Sequence, residues 1–144
     1  MAYLLIGDMD THIYSENRDA IVRSDNSIVY AAIDAAISEA KSYLSRFDLV
    51  KLFGTDEIEP SYTDDNLKQK VKDLALWHLV TLGQANIKIE LARTKYEDAI
   101  RWFEKVSERK INPGFPMPGD DPDTDGNESE SIEWDSNPKR NNHY

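Results

Sequence analysis

The residues of this sequence that are best suited to chemistry begin with a histidine between two carboxylates near the amino terminus. Asp8, His12 and Glu16 are spaced four residues apart, so a continuous helix would align their side chains on one face. A carboxylate–histidine–carboxylate set of this kind can hold zinc or manganese. Ser15 and Asn17 interrupt the pattern, however, because neither favours a helix interior. We therefore do not expect a metal ion there.

A second histidine, His78, lies inside an apolar stripe next to Trp77. An imidazole in such a place can act as a general base or as a ligand. No Asp, Glu or Ser shares its helical face within one turn, so nothing nearby in the sequence would orient the ring for catalysis. The sequence favours a histidine of the core or of an interface, held by one hydrogen bond.

Carboxylate pairs on facing helices would indicate a metal-dependent, all-helical nucleotide hydrolase, which holds magnesium between acids about three residues apart. The acids of this chain are spaced differently. One predicted helix offers Glu97, Asp98, Glu104 and Glu108, and another offers Asp64, Asp65 and Asp73. The chain also has no glycine-rich phosphate loop and no GxSxG or HExxH motif. This hydrolase remains the enzyme alternative, but we predict no catalytic residue, no metal and no cofactor.

A row of bases, Arg101, Lys105 and Arg109, recurs every four residues near the end of the last predicted helix. Such a row can contact phosphate, but glutamates run beside it and would pair with it on the solvent side. We favour a solvated, salt-bridged face, and keep open that such rows from many subunits of a ring line a channel. The formal net charge of −10 argues against general or sequence-specific nucleic-acid binding, which needs a basic surface.

Helical periodicity defines the elements that must carry these residues. Apolar side chains recur at steps of three and four residues over 28–47, 64–82 and 88–109, as in amphipathic helices. The first pattern can continue through residues 48–53 and stops at Gly54, and "GDMDTHIY" predicts a short N-terminal helix. No alternating pattern is long enough to build a sheet. The predicted fold class is all-α, a compact bundle of about four main helices with a short N-terminal helix.

Two of these helices have more apolar surface than one core face requires. The stretch "YEDAIRWFEKVSERKINPG" turns its aromatic residues inward, and Trp102 widens the edge of that face. The helix over 64–82 is apolar on most sides, which is typical of a central helix or of one at a subunit contact. We therefore predict that Leu76, Trp77 and Trp102 offer surface to neighbouring subunits.

Composition divides the 144-residue chain into two parts. Residues 1–114 form a predicted helical domain, and residues 115–144 form a predicted flexible tail, rich in Pro, Gly, Asp, Ser and Asn. Residues 118–144 hold eight acids against two bases, and so carry most of the net charge. Within this disordered acidic tail, Ile132 and Trp134 form a candidate docking motif that would fold onto a partner.

Other features bound the compartment. The chain has no cysteine, so disulfides and thiolate metal sites are excluded. No apolar run approaches the roughly 20 residues needed to span a bilayer. The start, "MAYLLIGDMD", lacks the basic region of a signal peptide. We expect no association with a membrane.

The order and the sequence of these helices resemble those of a phage family. "VYAAIDAAISEAKSYLSRF" is similar to the family pattern "ID.AI..A..EI..YL", and "LKQKVKDLALWHLV" is similar to "L...A.DIA.Y.L". "RTKYEDAIRWFEKVSERKI" is similar to "R..YE.A..WL..I..GK". Over about residues 3–114 the chain thus resembles the Mu-like prophage proteins of the head–tail connector group, small helical proteins of tailed phages. Here "YLSRFDLVKLFG" replaces the proline-bearing "YL..RY.LPL" of the family.

The resemblance implies a structural role. Proteins of this group are thought to sit as rings between portal and tail, sealing or extending the DNA channel, and they have no catalytic residues to carry over. The expected function is that of a head–tail connector or head-completion protein, a homo-oligomer that contacts portal and tail components. It would occur in the bacterial host cytoplasm during assembly and in the virion. A helical adaptor whose acidic tail binds a basic partner is the alternative among binding proteins.

Overall fold

The computed structural model of the chain is helical throughout its main elements and describes residues 3–14, 17–18, 26–82 and 89–119. Its elements are a 3₁₀ helix at Ile6–Thr11, α1 at Ser27–Tyr43, α2 at Leu49–Phe53, α3 at Asp65–Leu82 and α4 at Ile89–Ser107. No strand occurs within the described ranges. The predicted all-α class is confirmed.

Helix α3 lies at the centre of the bundle and packs against both α1 and α4. Its residues Val71, Leu74, Ala75 and Leu79 are completely buried, which accounts for a helix that is apolar on most sides. Burial of one such leucine contributes about 2 kcal/mol. The position of α3 therefore decides the shape of the core.

Helices α1 and α4 run side by side in the same direction. Glu39 of α1 contacts Tyr96 of α4, and four residues further on, the ring of Tyr43 stacks on that of Phe103 at 5.9 Å. Because the two helices are parallel, residues later in α1 contact residues later in α4. Helix α3 contacts both of them.

The first long helix ends earlier than its apolar pattern predicts. α1 ends at Tyr43, and the predicted span of 28–47 is therefore wrong at its end. The chain turns at Leu44, whose carbonyl accepts a hydrogen bond from the Phe47 amide at 3.0 Å. Asp48 then caps α2, because its Oδ1 accepts from the Lys51 amide at 3.1 Å. Phe47 is still buried, so the turn keeps the apolar spacing that suggested a continuous helix.

Gly54 ends α2, as the sequence predicts. Its φ of 72° lies in the left-handed region, which glycine adopts without steric cost. A Cβ atom at this position would lie 2.5 Å from the carbonyl oxygen of Ile58. The tight approach holds the loop after α2 against the end of that helix.

The folded region extends past the predicted boundary at residue 114. Phe115 is only 4% exposed, and its ring lies 5.3 Å from that of Phe47 and 6.1 Å from that of Tyr62. The carbonyl of Pro116 accepts a hydrogen bond from the Asp48 amide at 2.9 Å. Composition assigns Phe115 to the tail, but packing places it in the core.

None of the helices described is long and apolar enough to cross a membrane.

Candidate functional site

A carboxylate shared by three helices forms the most concentrated polar site of the described chain. Glu39 of α1 accepts a hydrogen bond through Oε1 from the hydroxyl of Tyr96 at 2.6 Å. Its Oε2 lies 2.7 Å from Nε2 of His78 on α3. We call these residues the Glu39 cluster. Both oxygens of the carboxylate are engaged, so the cluster ties α1, α3 and α4 together.

The environment of Tyr96 favours its neutral form. Burial raises the pKa of Tyr96 above its usual value, and the hydrogen bond to Glu39 raises it further, because a phenolate beside this carboxylate would be repelled. Burial and the charges of Glu104 and Glu39 raise the pKa of Tyr43 in the same way. A phenol held in its protonated form serves as a hydrogen-bond donor. The arrangement suits a structural clamp.

His78 was the residue for which the sequence left two interpretations, and its contacts favour the structural one. Within the described residues its ring makes a hydrogen bond to Glu39, and its side chain is 27% exposed. The sequence offered no acid on the same helical face, but the partner comes from α1, far away in the chain. Glu39 is therefore the site residue that sequence reasoning missed, and no local spacing could have found it.

Leu76 does not form the free apolar surface that the sequence predicts, and Trp77 is partly covered. Leu76 is 4% exposed and so offers nothing to a neighbouring subunit, because α3 lies between two other helices. Trp77 is partly buried; its ring lies 5.6 Å from that of Tyr96 and 5.8 Å from the guanidinium carbon of Arg93. Contacts within the chain therefore cover much of this indole.

Trp102 lies at the edge of the core, as its place on the helix predicts. It is partly buried, with its ring 5.1 Å from that of Phe103 and 6.4 Å from that of Phe115. Part of its cover thus comes from the segment after α4. Trp77 and Trp102 are both partly exposed, and their role at a subunit contact stays a prediction.

The predicted basic row is not continuous. α4 ends at Ser107, and Arg109 has a left-handed backbone with φ of 64°, so it does not continue the helical line of Arg101 and Lys105. All three side chains are exposed, and Nη1 of Arg101 pairs with Asp98 at 3.0 Å. The prediction that three bases form one line on the helix is therefore wrong. Arg101 and Lys105 remain as two exposed bases on α4.

Asp8 and His12, two of the three residues that the sequence suggested as metal ligands, instead attach the region of the 3₁₀ helix to α3. Nε2 of His12 lies 2.9 Å from Oδ1 of Asp73, whereas Asp8 lies 3.8 Å from Nζ of Lys68. The two side chains thus contact different residues of α3, and Glu16 lies outside the described residues. Among the residues described, no three His, Asp or Glu side chains group closely enough to hold a metal ion.

A groove of about 170 Å³ opens beside α1 and α2. Ile33, Ile37 and Phe53 supply apolar lining, and Asp34 and Asp56 supply carboxylates. Local sequence patterns do not predict this groove, because its lining combines residues of α1, of α2, of the loop after α2 and of the segment before the 3₁₀ helix.

Several large apolar side chains lie on the surface, between 40% and 78% exposed. They are Leu5, Tyr14, Tyr30, Val50, Ile58, Ile89, Leu91 and Met117. Isolated apolar side chains are ordinary on a protein surface. Tyr30 lines the groove, however, and is thus part of a concave apolar surface.

A comparison with known protein families assigns the chain to one of them. Residues 7–131 match the family described as Bacteriophage Mu, Gp36. The chain belongs to this family. Membership confirms the Mu-like resemblance and makes this a bacteriophage protein, which supports a role in phage structure or assembly. No curated protein and no solved structure matches the chain.

The span shared with the Gp36 family includes part of the acidic segment. It continues to residue 131, beyond the range of about 3–114 over which the sequence resemblance was drawn. Ile132 and Trp134 follow immediately after it and lie outside the described residues. Their role as a docking motif stays a prediction.

Proposed function

We propose that this Gp36-family chain is a structural protein of the phage head–tail junction, a connector or head-completion protein that assembles by protein–protein contacts into a ring between portal and tail. Its mechanism is surface complementarity. Its partners are copies of itself and the portal and tail components. It acts in the bacterial host cytoplasm during assembly and stays in the virion.

The observation that carries this proposal is the match of residues 7–131 to a bacteriophage Mu family, and the structure adds a contrast between the inner and outer surfaces of the bundle. The carboxylate of Glu39 is engaged on both oxygens within the chain, and burial helps to keep Tyr96 protonated. The side chains that could take part in a reaction therefore hold the helices together. Apolar residues such as Ile58 and Leu91, each 54% exposed, are instead directed outward, where another protein can cover them.

The proposal assigns nucleic acid a passive part. The exposed bases Arg101 and Lys105 can contact the phosphates of DNA that passes through a ring, without reading its sequence. A net charge of −10 makes such contact weak, since affinity for DNA depends on neutralising many phosphates.

Deletion of the gene from a phage that carries it tests the proposal. We expect the mutant to produce heads filled with DNA and complete tails that do not join, as seen by electron microscopy of the lysate. Purified protein added to that lysate should restore joined particles and plaques. Tailed, infectious particles from the deletion mutant would contradict the proposal.

An assay of joined particles also addresses the alternative functions. A protein acting as an enzyme would restore infectivity at amounts far below one ring per particle. The amount of added protein at half-maximal joining should instead scale with the number of heads, and the protein should be found in purified particles.

A further inference from the structure

The carboxyl end of α4 brings together bases from two parts of the chain. Nη2 of Arg46, in the turn that follows α1, donates a hydrogen bond to the carbonyl of Val106 at 2.9 Å. The amide of Arg109 donates to the same oxygen at 3.1 Å, and the amide of Lys110 donates to the carbonyl of Lys105 at 2.8 Å. A helix favours cations at this end, because its dipole is negative there. We call Arg46, Lys105, Arg109 and Lys110 the basic end of α4.

Acids of the folded domain balance only part of this charge. Nζ of Lys110 pairs with Glu108 at 2.7 Å. Arg46, Lys105 and Arg109 make no ion pair with any carboxylate of the described residues. Three positive charges of the basic end are therefore open to an acid from another part of the chain or from another molecule.

Two further charged residues of α4 belong to a different surface. Glu104 and Arg101 line a shallow depression together with Tyr43 and Tyr96. Arg101 already pairs with Asp98 at 3.0 Å, and the pKa of Tyr43 is raised by burial and by the charge of Glu104. These charges thus act on neighbours within the domain, and we do not count them in the basic end.

The chain leaves the folded domain close to this basic end. The guanidinium carbon of Arg46 lies 4.4 Å from the centre of the Phe47 ring, and that ring lies 5.3 Å from the ring of Phe115. The described part of the chain ends at Gly119, and Asp120 is the first acid of the segment that follows. The acidic segment is therefore anchored beside the bases that lack a counter-charge.

The length and the charge of this segment suit a contact within one chain. Residues 120–135 contain eight acids and no base. A random coil of this length has a root-mean-square reach of about 20–25 Å, whereas the last two turns of α4 span about 11 Å. A segment attached this near to its site acts at an effective concentration of about 1 mM. Contacts too weak to join two separate molecules are therefore populated within one.

We propose that residues 120–135 lie across the basic end of α4 of their own chain, with carboxylates set against Arg46, Lys105 and Arg109. The charges are complementary, and the described residues supply no other acid to these bases. The acidic segment and a DNA strand present the same chemistry to them, since both are polyanions. The segment and DNA therefore compete for the basic end.

This contact rests on the proposed function and adds a means of regulating it. A free copy, whose bases are covered by its own acids, does not associate with nucleic acid. In a ring, many copies present their basic ends to the same duplex, so the DNA is held by several contacts at once and displaces the acidic segments. Contact with DNA is thus confined to the assembled state.

Paramagnetic relaxation measured by NMR on the full-length chain tests the contact directly. Because the chain has no cysteine, Ser129→Cys places a single nitroxide near the middle of the acidic segment. Amide signals of residues 105–111 should broaden relative to the sample with reduced label, whereas those of residues 89–92, at the other end of α4, should not. Salt at about 1 M, where the screening length is about 3 Å, should remove the broadening. Absent or uniform broadening at low salt overturns the proposal.

Two pairs of neutralising changes distinguish the basic end from a general attraction to bases. Lys105→Gln with Arg109→Gln changes exposed side chains and should remove most of the broadening. Lys70→Gln with Lys95→Gln removes the same charge from partly exposed sites elsewhere on α3 and α4 and should leave the broadening unchanged. If both variants broaden to the same extent, the acids do not select the basic end and the proposal is wrong.

A mixed sample separates contact within one chain from contact between copies. A nitrogen-15 chain without the nitroxide is mixed with a spin-labelled chain that carries no isotope. Residues 105–111 should show no broadening in this mixture. Broadening there would show that the acidic segment binds a neighbouring copy, and would contradict a contact within one chain.

Competition with DNA is measured by the fluorescence anisotropy of a short labelled duplex at low salt. The full-length chain should not bind measurably, whereas a full-length chain with amides in place of the eight acids of residues 120–135 should bind. In this amide chain, Lys105→Gln with Arg109→Gln should weaken binding by about tenfold, and Lys70→Gln with Lys95→Gln, at the same net charge, by less than about twofold.

Two results of the anisotropy measurement would contradict competition for the basic end. One is equal affinity of the two neutralised chains for the duplex, and the other is no binding by the amide chain. Both the NMR and the anisotropy measurements use free protein, so they do not depend on the joining of heads and tails. Tailed particles from the deletion phage would contradict the proposed function alone.

Discussion

The hydroxyl of Tyr96 donates a 2.6 Å hydrogen bond to Oε1 of Glu39, whose other oxygen meets His78. This places one charged group from α1 between side chains of the other two long helices. The three helices could otherwise slide along their apolar faces, because apolar contacts have little directional preference. The Glu39 cluster fixes their register.

Replacement of Tyr96 by Phe should lower the free energy of unfolding by about 1 kcal/mol, the usual net value of one intramolecular hydrogen bond. The ring contact with Trp77 would remain, so the loss isolates the hydroxyl. Urea denaturation measures the change. Tyr30→Phe serves as the control, because Tyr30 is 47% exposed and its change should have little effect. Equal losses from both variants would show that the Glu39 contact contributes nothing.

Alkaline pH should weaken the fold partly through Tyr96. Its pKa is raised in the folded protein above the usual 10.0 by burial and by the hydrogen bond to Glu39. Once the pH exceeds 10, the unfolded chain loses this proton while the folded chain keeps it, so stability that is fully present below pH 10 declines as pH rises. The melting temperature should fall less steeply with alkaline pH in Tyr96→Phe than in the unmodified chain. Identical slopes would contradict this assignment.

Arg109→Gly should stabilise the folded domain by about 1 kcal/mol, since an L-residue with a side chain is strained in the left-handed region. Arg109 has φ of 64°, and its side chain is exposed, so little packing would be lost. Differential scanning calorimetry measures the rise in melting temperature. Lys110→Gly, at an exposed position whose backbone is outside the left-handed region, is the control and should not stabilise. A lower melting temperature for Arg109→Gly would show that its side chain makes a contact of greater value.

The sequence predicted the helices well because their apolar residues follow one dominant period. The bounds of α3 and α4 were predicted to within about two residues. The break after Tyr43 was missed because Phe47 is buried in the turn just as it would be in a helix. A usable signal was present in Asp48, whose side chain caps α2.

The contacts between elements were beyond the reach of local patterns. The acid that binds His78 is 39 residues away in the chain, and the partner of His12 is Asp73 on another helix. The sequence predicts Leu76 on the surface because its helix has more apolar residues than one core face requires. In the structure α3 is covered by helices on two sides, so these residues are buried. Which apolar residues remain exposed depends on how three helices pack, and periodicity alone does not contain this information.

Two truncations should locate the end of the folded domain and separate it from the acidic segment. A chain ending at Gly114 lacks Phe115, which is 4% exposed, and should lose about 3–5 kcal/mol of stability, as for removal of a buried aromatic ring. A chain ending at Gly119 keeps this ring and the Pro116 hydrogen bond, and should melt close to the full-length protein. Phe115→Ala in the full-length chain provides the point-mutant equivalent, and Met117→Ala, at a site 40% exposed, provides its control.

The same chain ending at Gly119 tests the predicted docking motif. If Ile132 and Trp134 bind a phage partner, this truncation should retain the fold but fail to join heads and tails, and the full-length Ile132→Ala, Trp134→Ala variant should fail as well. Removal of charge alone is controlled by a full-length chain in which acids of residues 118–144 are replaced by their amides while Ile132 and Trp134 are kept. Normal joining of heads and tails by the double alanine variant would contradict the docking motif. Any function of residues 118–144 in joining would then depend on their charge.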